Sequence, residues 1–69
     1  MPEHPIVNGE PRPVTGWTLE ALLDDLGVAT TGRGLAVAID GEVVPRSAWS
    51  SRRVEDGERV EVLAAMQGG

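Results

Sequence analysis

Leu19, Leu22, Leu23 and Leu26 recur at i, i+3, i+4 and i+7, and this spacing predicts a short helix with one leucine face. Thr18 stands where an N-cap belongs, and Glu20, Asp24 and Asp25 fall on the watered side. Gly27 occupies the left-handed position just past the end. Asp24 and Asp25 oppose the helix dipole, a small local penalty, so tertiary packing of the leucine face must hold so short a helix. Elsewhere the period is two. In Leu35-Ala36-Val37-Ala38-Ile39 large residues alternate with alanine, which reads as a strand buried on both faces with one face short of space. Arg59 to Ala64 alternates charge with valine and reads as a half-buried strand. Asn8-Gly9 and Asp40-Gly41 are two-residue hairpin signals. The first joins Pro5-Ile6-Val7 to a returning strand over Glu10 to Val14, and the second joins the alanine-rich strand to Glu42-Val43-Val44. Pro11 and Pro13 remove alternate donors from the returning strand, which places it at an edge. Thr30 to Gly34 reads as a loop, Arg46 to Ser51 as a single helical turn, and Asp56-Gly57 as a third turn.

The order is hairpin, helix, hairpin, one turn, last strand. A mixed sheet of four to five strands with one helix across one face satisfies it, an α+β roll. Only the first and last strands lack a local turn, and pairing them in parallel at the centre gives the ubiquitin-like β-grasp. Residues 1–64 are expected to form this one domain, and residues 65–69 a flexible tail ending in two glycines.

Composition removes most catalytic chemistry. The chain has 69 residues, no Cys, Lys, Tyr or Phe, and one histidine, His4, in a proline-bracketed segment. The usual nucleophiles, bases and thiolate metal ligands are missing, and so small a domain can hardly bury and perturb two carboxylates. An enzyme in its own right is not expected, nor a bound metal. Eleven acidic against six basic residues give a net charge of −5, which disfavours nucleic acid and anionic membrane. No segment is apolar enough to span a bilayer and no signal peptide pattern opens the chain, so a cytoplasmic protein is expected.

Gly68-Gly69 is the feature with chemical content. Two residues without Cβ make the thinnest possible peptide. The five residues after Ala64 reach roughly 16 Å when extended, at about 3.3 Å each. Such a tail can thread a narrow channel and present a carboxylate inside another enzyme. That carboxylate can attack the α-phosphate of ATP, and a sulfur donor or amine can then displace AMP. The reactive group is backbone, so an empty side-chain inventory is no obstacle.

The chain resembles the ThiS family, the small sulfur carriers of bacterial thiamine (thiazole) biosynthesis, over nearly its whole length from Ile6 to Gly69. The resemblance rests on the early Asn8-Gly9-Glu10 hairpin and on Gly16-Trp17-Thr18-Leu19-Glu20-Ala21-Leu22-Leu23 leading the helix. It continues through Ala38-Ile39-Asp40-Gly41-Glu42-Val43-Val44-Pro45-Arg46-Ser47-Ala48-Trp49 and Val54-Glu55-Asp56-Gly57-Glu58-Arg59-Val60-Glu61-Val62 to Gln67-Gly68-Gly69. Pro11, Pro13 and the residues before Pro5 depart from that pattern. The resemblance implies an E1-like adenylating enzyme of the ThiF type, which activates the carboxylate of Gly69 with ATP and Mg²⁺. A cysteine-derived sulfur donor converts it to a thiocarboxylate, and a thiazole synthase of the ThiG type takes the sulfur. Gly69 then bears the sulfur, Gly68 gives the slender approach, and Met66 and Gln67 line the tail's entry into either partner.

Three other functions fit the same fold. They are the small subunit of molybdopterin synthase, a protein modifier that conjugates Gly69 to lysines, and a binding module with an inert tail. The first is longer and carries a Pro-Pro pair before its tail, which Ala64 to Gln67 lacks. Among the remaining residues, Trp49 reads as a core or rim filler. Trp17 either staples the start of the helix or lies exposed. Arg46, Arg52 and Arg53 read as a solvated face, His4 as a surface residue, and the acidic residues as a surface that steers encounter with a basic enzyme.

Overall fold

The computed structural model describes residues 3–28 and 34–64. Five strands and one helix follow in the order β1 (Ile6–Val7), β2 (Glu10–Pro11), α1 (Leu19–Asp25), β3 (Leu35–Ile39), β4 (Glu42–Val44) and β5 (Arg59–Ala64). A single 3₁₀ turn spans Arg46–Ala48 between β4 and β5. The sheet order is β2-β1-β5-β3-β4, so the last strand is the central one. β1 pairs with β5 in parallel, Ile6 against Arg59 and Val7 against Val60, and the other pairings are antiparallel. This is the β-grasp arrangement expected from the order of elements.

Both hairpins turn on an Asx-Gly pair with positive φ at each position: Asn8 at 50° and Gly9 at 85°, Asp40 at 51° and Gly41 at 84°. Those angles fit the turn type whose twist matches that of paired strands, and few residues other than Asn, Asp and Gly adopt them.

Pairing register divides the sheet into two faces. Val7, Val37, Ile39 and Val60 point inward and join Leu19, Leu22 and Leu23 of α1, with Val14, Trp49 and Val54 completing one core cluster. All three leucines are fully buried, and Leu26 is packed against the cluster at its margin. Trp49 fills this core as expected, and its indole Nε1–H donates to the Val44 carbonyl at 3.0 Å.

The helix is short enough that its ends need partners, and both are supplied. The N–H of Leu19 donates to the Arg52 carbonyl and that of Glu20 to the Trp49 carbonyl, while Ala21 N–H reaches the Thr18 Oγ1 cap at 3.1 Å. At the other end Gly27, at φ 78°, donates to Asp24 O and Val28 donates to Leu23 O. That pair of bonds is a Schellman closure.

Two expectations need correction. The returning strand is two residues long and does not run to Val14: Pro11 and Pro13 carry no N–H, so the ladder stops and Val14 turns into the core. It is nonetheless an edge strand, as the prolines require. The alanine face of β3 is open where a crowded interior was expected: Ala36 is exposed and Ala38 half-buried. The expected loop at 30–34 lies outside the described residues except for Gly34, and the expected tail at 65–69 lies wholly outside them.

The three arginines are engaged as well as solvated. Arg46 stacks over the Trp49 ring, 4.7 Å from its centroid. Arg53 Nη1 donates to the Gly16 carbonyl at 2.7 Å. Arg52 Nη2 pairs with Glu58 Oε2 at 2.7 Å, and Glu58 Oε1 also accepts the Glu55 N–H at 2.8 Å. Hydrogen bonding to Glu58 is the main cause that raises the Arg52 pKa above its ordinary value. A cation stabilised in this way contributes fully at any pH below its unfolded pKa, so the pair holds throughout the physiological range. Its side chain is 35% exposed, and solvent screens the charge term. Glu58→Ala is therefore expected to cost about 1 kcal/mol, chiefly through the orphaned Glu55 N–H and the loosened 52–58 loop. A denaturant titration of both proteins measures that difference.

Candidate functional site

The described part of the candidate site is the end of β5 and the surface around it. Gly69, Gly68, Gln67 and Met66 come after this strand in the chain and lie outside the described residues. Their placement therefore starts from Ala64, whose backbone pairs with Leu35 at the end of the β3–β5 ladder.

On the outer face of the sheet, opposite the helix, the register sets Ala36 beside Leu63 and Ala38 between Glu61 and Val43. Leu63 is 65% exposed and Val43 75% exposed. The two alanines are low ground between these larger side chains. The result is a shallow trough across three strands, apolar at Leu63, Ala36, Ala38 and Val43 and bordered by the exposed Glu61, about 10 Å from β5 to β4 at ordinary strand spacing. Exposed leucine and valine aligned on one sheet face have a cost in water that a partner's surface removes. Alternation in the sequence left this surface hidden, because an alanine row fits a narrow interior and an open face equally well.

The edges of β5 are held by unusual partners. The N–H of Val62 donates to Asn8 Oδ1 at 2.8 Å, and that of Arg59 to Asp40 Oδ1 at 2.9 Å. A hollow of about 240 Å³ lies between the two hairpin turns, lined by Ile6, Gly9, Asp40, Gly41, Arg59 and Glu61. It sits at the start of β5, and no nucleophile or base other than carboxylates lines it. Trp17 is 37% exposed, and His4 is exposed. Among the described residues no polar or charged side chain is buried, and no three His, Cys, Asp or Glu side chains are grouped to hold a metal ion. No described helix is long and apolar enough to cross a membrane. What this geometry offers is a centrally placed strand that ends beside exposed Leu63 on the outer sheet face.

Known proteins with this sequence pattern share that build. The profile of the ThiS family matches residues 6–69. The chain is 43% identical over 63 residues to the sulfur carrier protein ThiS of Thermus thermophilus, covering 91% of this chain and 95% of that one. It is also 40% identical over 65 residues to a thiazole synthase of Paramagnetospirillum magneticum, covering 93% of this chain but 19% of that longer protein. Among solved structures, the crystal structure of the thiamine biosynthesis protein ThiS from Geobacter metallireducens superposes with a TM-score of 0.74 at 37% identity, covering 94% of this chain and 97% of that one. Sequence pattern, strand order and the central last strand agree: the chain belongs to the ThiS family.

Proposed function

We propose that this chain, a sulfur carrier of thiamine biosynthesis, bears its sulfur at Gly69. A carboxylate oxygen of Gly69 attacks the α-phosphorus of ATP, and pyrophosphate leaves to give an acyl adenylate. A sulfur nucleophile derived from cysteine then attacks the acyl carbon and displaces AMP. Where that nucleophile is a persulfide, the product is an acyl disulfide; a thiol then attacks its donor-side sulfur, the donor leaves as a disulfide, and a thiocarboxylate remains on Gly69. The thiocarboxylate is anionic at neutral pH and a better nucleophile than the carboxylate it replaces. A thiazole synthase takes that sulfur for the ring. ATP, Mg²⁺ and catalytic side chains belong to the partners, which include an adenylating enzyme of the ThiF type, and the carrier supplies a substrate.

The observation that carries this reading is the family match running through the diglycine at 68–69, together with the central placement of the strand leading to it. The relative that is a thiazole synthase contains a segment like this chain within its own length, which supports such a synthase as a partner. Intact mass after incubation with an adenylating enzyme, ATP and a sulfur source tests it. A gain equal to exchanging oxygen for sulfur is expected. A ladder of conjugates on other proteins would point to a modifier instead.

The apolar trough is the surface on which the adenylating enzyme docks. Gly69 lies six residues beyond Leu63, at most roughly 20 Å away, so an enzyme closing around one covers the other. Leu63→Asp is expected to raise the KM for the carrier at least about tenfold, since a buried charge opposes an apolar contact. The melting temperature should stay as it is, because Leu63 is outside the core. An unchanged KM would remove the trough from the docking surface.

A further inference from the structure

We propose that Asn8 is a positioning residue for the reactive end of the chain, acting through the N–H of Val62. This rests on the reading that Gly69 is the modified residue. β1 supplies only Ile6 and Val7 to the parallel ladder, while β5 runs on to Ala64. The rungs on this side are Ile6 N–H to Glu58 O at 2.8 Å and Asn8 N–H to Val60 O at 2.9 Å. The next rung would take the Val62 N–H to a backbone carbonyl at position 8. Asn8, however, is at φ 50° and already turning into the hairpin. Its side-chain oxygen takes the place of that carbonyl, 2.8 Å from the Val62 nitrogen. Asn8 thus does two jobs: it makes the turn, and it extends the ladder by one rung toward the terminal segment.

Asp40 is its counterpart at the other end of the same strand. It has the same left-handed backbone, at φ 51°, and its Oδ1 accepts the Arg59 N–H at 2.9 Å. Its own N–H donates to the Arg59 carbonyl at 2.8 Å. The two turn residues hold the strand at both ends, but only Asn8 holds the end from which Gly69 is delivered. The β3 ladder holds the other side of these residues as far as Ala64, and the bond from Val62 to Asn8 adds a hold on the β1 side, so less ordering remains to be done on docking.

These two residues provide a matched test. Asn8→Gly keeps a turn-compatible pair, Gly-Gly, and deletes the acceptor, while Asn8→Asp keeps both. Asp40→Gly deletes the equivalent acceptor at the remote end. Carrier-dependent pyrophosphate release is measured with an adenylating enzyme of the ThiF type, for the wild type and each variant, well below each one's melting temperature. N8G is expected to raise the KM for the carrier about fivefold with kcat unchanged, the factor one hydrogen bond supplies. N8D should restore it, and D40G should lower stability yet leave KM as in the wild type. Amide exchange at Val62 should quicken in N8G and not in D40G. An unchanged KM in N8G, a failure of N8D to restore it, or an equal rise in D40G would overturn the role of Asn8. Those results leave the Gly69 reading standing. Absence of adenylation in the wild type itself would instead overturn that reading, and the positioning role with it.

Discussion

Deleting Gly69 is expected to abolish the oxygen-to-sulfur mass gain while leaving the melting curve as it was. The argument is chemical on one side and structural on the other. Glycine is the only residue whose carboxyl carbon can be approached without a Cβ in the way, and the shortened chain would end on Gly68, one residue short of the partner's reacting atoms. A displacement of even 1 Å from productive geometry costs about a hundredfold, and one residue is about 3.3 Å. On the structural side, the core residues among those described, with Pro5 and Val62 packed beside them, all precede the deleted position by at least seven residues. Gly68→Val should act in the same direction at full chain length, lowering the rate about a hundredfold or more by widening the tail just before the reacting carbon. Intact mass and thermal melts on the same samples separate the two halves of the prediction. A shortened chain that still takes up sulfur would move the modification elsewhere.

Leu22→Ala is expected to have the largest effect on stability. Leu22 is fully buried at the middle of the α1 face that meets the sheet. Truncation of such a residue costs about 2–5 kcal/mol, from lost apolar burial and an unfilled space. A domain of 69 residues has only about 3–10 kcal/mol in total. The melting temperature should therefore fall by about 8 °C or more, since each kcal/mol moves it by about 4–8 °C at this size. Two features prevent relaxation into the gap. The Schellman closure at Gly27 fixes one end of the helix, and the bonds from Leu19 and Glu20 to the 49–52 segment fix the other. A fall of only a degree or two would show that the helix shifts to refill the space.

Local rules carried most of the fold. The four leucines, the Thr18 cap and Gly27 define the helix, and α1 with its caps occupies those positions. The Asx-Gly pairs define both hairpins, because few residues accept two successive positive φ angles. The features that escaped depend on partners distant in the chain. Nothing near Asn8 says that its side chain will meet Val62, because the two come together only when β1 lies beside β5. Arg52 looks like any solvated arginine until the 55–58 turn brings Glu58 to it. The alanines of β3 fit a tight interior by size, and size alone does not distinguish a narrow space from an empty one. The tail reading asks nothing of the fold: it rests on two residues without side chains, Gly68 and Gly69, and stands as a proposal.

The position of β5 also determines when this protein can exist as a folded object. Residues 59–64 are the last part of the domain to be synthesised, yet they occupy the middle of the sheet. A nascent chain that stops before Arg59 holds two hairpins and a helix with nothing between them. Its β1 has no neighbour other than β2, and β3 none other than β4. Two-stranded hairpins are marginal by themselves in water, and pairing between distant segments comes late in folding. Folding therefore waits for the strand that leads to Gly69. A chain that stops before Arg59 therefore has no assembled sheet, and the face that carries Leu63 and Val43 forms only once the strand leading to the terminal segment is in place.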